Sequence, residues 1–250
     1  MSRLLTWAAN GGPYLIGHRG YPERARENTI TSFAAALDAG CHGVELDVRL
    51  ARDGVPVIHH DATVETAAGK VALADLDSVT LAGATCMSPR GPYGVPGLAE
   101  VVSTFGGRCL LNVEIKPPVP AHRVAVAATV AAAIRGIDPP ASVLVSSFDA
   151  DTLVALVQQG VHVPLGFLFT KTRELDALER MPLLGALAWL HPVHDIVDEA
   201  LMHRARAHGL PVVTWTADTP DEVARLLALG VAAVITNRPA AVVHLWRRSE

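Results

Sequence analysis

Two strand-length stretches carry polar residues at every second position. In Val44–Val48, Glu45 and Asp47 fall on one face and Val44, Leu46 and Val48 on the other, because strand side chains alternate between faces. Leu110–Lys116 repeats the pattern, with Asn112, Glu114 and Lys116 opposite Leu111, Val113 and Ile115. Carboxylates turned into a fold are very unfavourable without partners. A divalent cation would satisfy all three, and hard oxygen ligands suit Mg2+ or Ca2+. Internal ion pairing, of Glu114 with Lys116 or Arg19, is the other way to balance the charge. Two histidines stand near these acids. His18 ends the stretch that begins at Tyr14, and His60 lies in Pro56–Asp61. Imidazoles flanking a cation suit proton transfer near neutral pH. Arg19, next to His18, offers a planar fork for a phosphate.

The turn between Val44–Leu50 and Pro56–Asp61 sets which histidine meets the acids. A two-residue turn at Asp53-Gly54 pairs Arg52 with Val55. Counting back along that ladder sets Asp47 opposite His60, on one face and about 5 Å apart. His59 and Asp61 then point away.

The elements that position these residues read as eight strands alternating with helices or loops. Tyr14–Gly17, Val44–Leu50, Leu110–Lys116, Val143–Phe148, Pro164–Phe169, Ala186–Leu190, Pro211–Thr216 and Ala232–Thr236 have strand length and composition. Thr29–Ala39, Pro120–Arg135, Ala150–Gln159, Glu199–His208 and Pro220–Leu229 read as helices, most of them stopped by glycine. Crossovers of this kind give a parallel sheet. Eight repeats in 250 residues without a second composition zone predict one domain over residues 1–250, a closed (β/α)8 TIM barrel. An open doubly wound sheet is the alternative, and no GxGxxG follows the first strand to favour it. Residues 62–107 break the rhythm with Ser88-Pro89-Arg90-Gly91-Pro92 and Gly94-Val95-Pro96-Gly97. They read as an insertion over one barrel mouth.

A net charge of −4 leaves no broad basic field for nucleic acid. Three cysteines, Cys41, Cys86 and Cys109, form neither a disulfide framework nor a CxxC zinc pair, and are expected reduced and mostly buried. The segment Met1–Pro13 reads as a leader into the first strand rather than a signal peptide. No apolar stretch reaches 18 residues without charge or proline, so no transmembrane helix is expected. On those absent signals the expected location is cytoplasmic.

These residues resemble the glycerophosphodiester phosphodiesterase family, from Leu15 to Pro239. His18-Arg19-Gly20 with Glu27-Asn28-Thr29 is similar to its HRG…ENT opening, and Glu45-Leu46-Asp47 to its ExD motif. Asp53-Gly54-Val55-Pro56-Val57 followed by His60-Asp61 resembles its DG-x-PV-x-x-HD segment. Asn112-Val113-Glu114-Ile115-Lys116 resembles its IEIK strand, and Ser146-Ser147-Phe148-Asp149, Trp215-Thr216 and Thr236-Asn237-Arg238-Pro239 match later landmarks. The resemblance implies metal-dependent hydrolysis of glycerophosphodiesters to sn-glycerol 3-phosphate and an alcohol, a step of glycerophospholipid degradation. It implies His18 and His60 as acid and base, and Glu45, Asp47 and Glu114 around one divalent cation. Arg19 and Lys116 would contact phosphate, Glu27 and Asn28 would shape the site, with Asn28 near phosphate or metal as a substrate-binding residue, and Trp215 would line the glycerol pocket or serve as a core aromatic.

The chain departs from the family where Arg26 replaces a usual proline and where Ala62–Ala67 lacks an RTT-like run. The arginine missing from that run lies outside the metal cluster, so its absence bears on substrate fit more than on chemistry. Other readings are a lysophospholipase D-like phosphodiesterase or a membrane-acting phospholipase on the same barrel, the latter disfavoured by only 5 % aromatic residues. A silent phosphate-binding barrel would have lost a histidine or a carboxylate, and none of the set is missing.

Overall fold

The computed structural model of the protein describes residues 6–7, 12–83 and 85–246. Most of the expected leader lies outside them. Eight parallel strands form the wall: β1 (Tyr14–Gly17), β2 (Gly43–Leu50), β3 (Leu110–Ile115), β4 (Val143–Ser147), β5 (Leu165–Phe169), β6 (Trp189–Pro192), β7 (Val213–Thr214) and β8 (Ala233–Thr236). Each pairs with its sequence neighbours, and β1 pairs with both β2 and β8. Parallel bridges Leu190–Val212 and Val193–Trp215 join β6 to β7, so the ring closes.

The wall sorts side chains by the period of two. Val44, Leu46, Val48, Leu111, Val113 and Ile115 face outward into the large core shared with the helices. A second apolar cluster, with Tyr14, Ile16, Leu110, Leu144, Trp189, Val213, Ala233 and Ile235, fills the inside. Trp7 joins it from before β1, edge-on to Tyr14 and Trp189, and its indole N–H donates to the Leu111 carbonyl at 3.2 Å. The N-terminal end of the barrel is thus stoppered. At Gly43 a Cβ would run into the Leu110 carbonyl, so β2 and β3 approach closely there only because the side chain is absent.

Two expected strands differ in extent. The sixth runs Trp189–Pro192, because Pro182–Ala186 winds into a 3-10 turn. The seventh keeps ladder pairing only over Val213–Thr214.

The hairpin register also differs. Val48 pairs with Ile58, Arg49 with Val57 and Leu50 with Pro56. The loop therefore has three residues, Arg52 to Gly54. Ala51 N–H donates to the Val55 carbonyl, and Gly54 takes the left-handed conformation at φ 76°. One extra loop residue shifts the ladder by one, and His59, not His60, stands opposite Asp47, its amide donating to the Asp47 carbonyl at 2.9 Å.

Between this return arm and β3, a small four-stranded antiparallel sheet spans Thr63–Tyr93. It has its own core of Val64, Leu73, Leu81, Cys86 and Val95, continued by Ala51 and Val57 of the hairpin. The helix Leu98–Phe105 then returns to the main core through Leu98, Val101 and Phe105.

Candidate active site

The polar side chains predicted to face inward do so, at the C-terminal end of the barrel. Glu45 pairs with Asn112 and Asp47 with Glu114 across β2 and β3. Glu45, Asp47 and Glu114 are all buried and offer oxygens within 4.8 Å of one another. Lys116, just past β3, holds Asp47 at 2.9 Å and Glu114 at 2.6 Å.

The turn after β1 delivers the next groups. Arg19 and Asn28 are the non-glycine residues with positive φ among those described, 54° and 57°. Such conformations are strained and persist where surrounding contacts fix them. Here Arg19 N–H donates to Glu45 at 3.0 Å, and Asn28 N–H to the Arg19 carbonyl at 3.0 Å. Gly20 sits so close to Ser32 that a Cβ would clash with its backbone, and its own φ is 88°. Thr29 caps the helix Ile30–Asp38, accepting from Ser32 N–H. The Arg19 guanidinium reaches Asp47 at 3.1 Å and Glu27 at 3.1 Å. Asn28 spends both ends of its amide on Asp47, donating to Oδ2 at 2.8 Å and accepting its N–H at 3.3 Å. It orients a carboxylate of the triad.

The charges do not balance evenly. Burial, then the Asp47 and Glu114 carboxylates, push Glu45 well above the usual range, beyond what Arg19 and Lys116 offset. Burial also pushes Asp47 up, but Lys116, Arg19 and the Asn28 hydrogen bond outweigh it and hold it low. Glu114 is raised by burial and by Asp47. Glu45 Oε1 is buried without a partner among the described residues. An unpaired oxygen in an all-carboxylate cluster is what a hard divalent cation would complete, so the residues present fit one.

One cavity of about 280 Å3 opens on this cluster. His18 and His60 both line it, with Arg19, Glu45, Glu114 and Lys116. His18 Nδ1 lies 2.7 Å from Asn237 Oδ1 and its Nε2 3.9 Å from Glu45. Burial, then Arg19, lower its pKa. His60 reaches the cavity although the ladder does not carry it there. The return arm stops at Ile58, the chain bends, and Arg49 Nε holds the His60 carbonyl at 2.8 Å. The His60 ring sits 2.7 Å from the Asp61 carboxylate. His59 is buried away from the cavity, bonded to the Asp61 carbonyl and the Tyr93 hydroxyl.

Trp215 lines the cavity and also packs against the interior cluster. Its indole N–H is spent on the His191 carbonyl at 2.9 Å, and it stands edge-on to Phe148 with ring centroids 5.4 Å apart. Among the described residues that line the cavity, none comes from 62–107.

Sequence reasoning passed over Asp218, which takes three hydrogen bonds from Thr236 and Asn237. It sits in a short loop before a helix cap, where no periodicity marks it. Phe148 and Asn237 entered only as landmarks of the resemblance.

The sequence model of the glycerophosphoryl diester phosphodiesterase family matches residues 18–241. A glycerophosphodiester phosphodiesterase of Caldanaerobacter subterraneus is 28 % identical over 94 % of this chain and 98 % of its own. A probable glycerophosphodiester phosphodiesterase 1 of Mycobacterium tuberculosis is 29 % identical over 94 % of each chain. Among solved structures, an Oleispira antarctica phosphodiesterase in complex with the product sn-glycerol-3-phosphate superposes with a TM-score of 0.79 at 25 % identity, covering 94 % of this chain and 97 % of that one. A putative glycerophosphoryl diester phosphodiesterase of Silicibacter pomeroyi shares the fold at a TM-score of 0.80 and 24 % identity, covering 95 % and 94 %. With the match running from the His18 turn to just beyond β8, this chain belongs to the glycerophosphoryl diester phosphodiesterase family.

Proposed function

We propose that this protein hydrolyses glycerophosphodiesters to sn-glycerol 3-phosphate and an alcohol, with one divalent cation held by Glu45, Asp47 and Glu114. The observation that carries the proposal is the triad itself, three buried carboxylates within 4.8 Å beside two histidines, Arg19 and Lys116 in a single cavity. Family membership and the product-bound relative support the substrate class.

A cation bound there by Glu45, Asp47 and Glu114 would supply Lewis acidity at the phosphate. Arg19 and Lys116 add fixed positive charge where the phosphate sits, held in place by Glu27, Asp47 and Glu114 so that little reorganisation is needed. His18 removes the proton of the attacking hydroxyl through Nε2. His60, with the Asp61 carboxylate behind its other nitrogen, protonates the departing alkoxide. The attacking hydroxyl is that of water, or of the substrate's own glycerol, in which case a cyclic phosphate forms and water opens it in a second step to sn-glycerol 3-phosphate. Each proton transfer contributes about 10²–10⁴-fold. Trp215, fixed by its N–H and by Phe148, offers an apolar wall to the carbon skeleton.

The test is release of sn-glycerol 3-phosphate from glycerophosphocholine and glycerophosphoethanolamine with Mg2+, with Ca2+ and with a chelator. Cation-dependent release supports the proposal, and the better cation names the native one. No release from either diester with both cations supplied overturns the substrate assignment.

A further inference from the structure

A one-way chain of hydrogen bonds runs behind His18. Asp218 accepts from the Asn237 backbone N–H at 2.7 Å, from the Thr236 hydroxyl at 3.0 Å and from Asn237 Nδ2 at 2.9 Å. Its own backbone is tied to the next helix, because Asp218 N–H donates to Glu222, a member of the capping box with Thr219. An ionised carboxylate only accepts. The Asn237 amide must therefore turn its NH2 towards Asp218 and its Oδ1 towards His18, where Nδ1 lies at 2.7 Å. Amide orientation is settled by such networks rather than by shape. A carbonyl oxygen only accepts in turn, so the proton of a neutral His18 must sit on Nδ1. Nε2, on the cavity side, is left with its lone pair.

We propose that Asp218 and Asn237 are positioning residues that fix the tautomer of His18, with its proton on Nδ1 and the lone pair of Nε2 turned to the cavity. The inference rests on the reaction proposed above for the choice of base, but the tautomer itself does not. His60 is backed differently: its ring meets a carboxylate, Asp61, at 2.7 Å. Both acceptors take a ring proton at Nδ1 and leave Nε2 free, so the backing orients each ring without deciding which of the two is the acid. In the step, Nε2 takes the proton of the attacking hydroxyl as its oxygen bonds to phosphorus. The phosphorus–oxygen bond to the alcohol breaks, and His60 gives its proton to that oxygen. One proton is gained at His18 and one lost at His60, so the pair resets by a single return transfer through solvent.

The substitutions separate the parts of the chain. Asn237→Leu removes the acceptor. Asn237→Asp keeps an acceptor for Nδ1–H. Asp218→Asn lets the Asn237 amide turn over, because the new side chain can donate as well as accept.

The experiment is long-range 1H–15N NMR of the histidine rings in the full-length protein with Mg2+ at pH 7.5, with His18 assigned by its absence in His18→Gln, alongside steady-state kinetics. We expect His18 protonated at Nδ1 in the wild type and in Asn237→Asp. In Asn237→Leu and Asp218→Asn the Nε2–H form should gain population. The latter two should lose kcat by about 10²-fold, with KM changed less than about threefold, whereas Asn237→Asp retains more activity than Asn237→Leu. An Nε2–H ring in the wild type overturns the inference. So does an Asn237→Leu protein, folded by circular dichroism, whose ring state and kcat match the wild type. Should Asn237→Leu fail to fold, Asp218→Asn decides on the same two readouts. Loss of the diester activity itself, with the Nδ1–H pattern intact, would instead count against the reaction assigned to the site.

Discussion

His59 stands opposite Asp47 in the hairpin ladder, and its neighbour His60 lines the cavity. Adjacent residues in one motif thus have separate work. His59 links the bend to the small sheet through the Tyr93 hydroxyl, which also takes a hydrogen bond from Arg26. We expect His60→Ala, like His18→Ala, to cut turnover by at least about 10²-fold with the fold intact. His59→Gln should keep turnover within a few-fold and lower the melting temperature. Kinetics and thermal melts of the three variants check this, and near-normal turnover in His60→Ala would remove it from the mechanism.

The divalent site should reveal itself without substrate. Burial and the two neighbouring carboxylates favour a protonated Glu45 in the metal-free protein, so Glu45→Gln replaces a neutral acid by a near isostere. The metal-free variant should melt no lower than the wild type. The stabilisation that Mg2+ or Ca2+ confers on the wild type, about 2.7 kcal/mol at a hundredfold excess over Kd, should vanish in the variant. Equal cation-induced shifts in the two proteins would place the ion elsewhere.

How far the sequence reached depends on the kind of signal. Strand alternation alone turned Glu45, Asp47, Asn112, Glu114 and Lys116 inward, because a period of two leaves one face for polar groups and one for the helices. The hairpin could not be settled that way. Asp53-Gly54 serves a two-residue or a three-residue loop, and the choice moves every pair by one. His60 was placed in the site by a ladder that does not exist. It arrives because the arm ends at Ile58 and the chain bends. Asp218 carried no signal, since its partners, Thr236 and Asn237, meet it only across the helix that follows, 18 and 19 residues on.

Inside the barrel, His191 is completely buried, and both ring nitrogens lack partners among the described residues. Burial pushes its pKa down to about 3. The unfolded chain, with a value of about 6.5, binds that proton more readily. Stability should therefore fall as pH drops from about 6.5 towards 3, with this residue contributing about 1.4 kcal/mol per pH unit. A Cβ at Gly166 would lie 2.5 Å from His191 Nε2, so a flexible replacement suits the space. His191→Met should lose less stability than the wild type between pH 6.5 and 4.5 in chemical denaturation series. Parallel curves would show that His191 finds a partner for its proton.

The cysteines give a simpler check. All three are buried and unpaired as disulfides. Burial raises Cys86 and pushes Cys41 and Cys109 up to about 12, and thiols in that state are poor nucleophiles. A thiol-reactive dye at pH 8 should find almost none in the native protein and three after denaturation. Rapid labelling of a native cysteine would reveal local opening around it.

Trp7 closes the barrel at the end away from the carboxylates. A vessel with a single door imposes an order on traffic. Substrate must enter, and both products must leave, past the same rim of His18, His60 and Trp215. The freed alcohol, a cation in the case of choline or ethanolamine, has no negative charge to meet the phosphate contacts proposed for Arg19 and Lys116, whereas the phosphomonoester carries more negative charge than the diester it came from. The alcohol is therefore expected to depart first and the monoester to follow: the stopper at one end makes the other a queue.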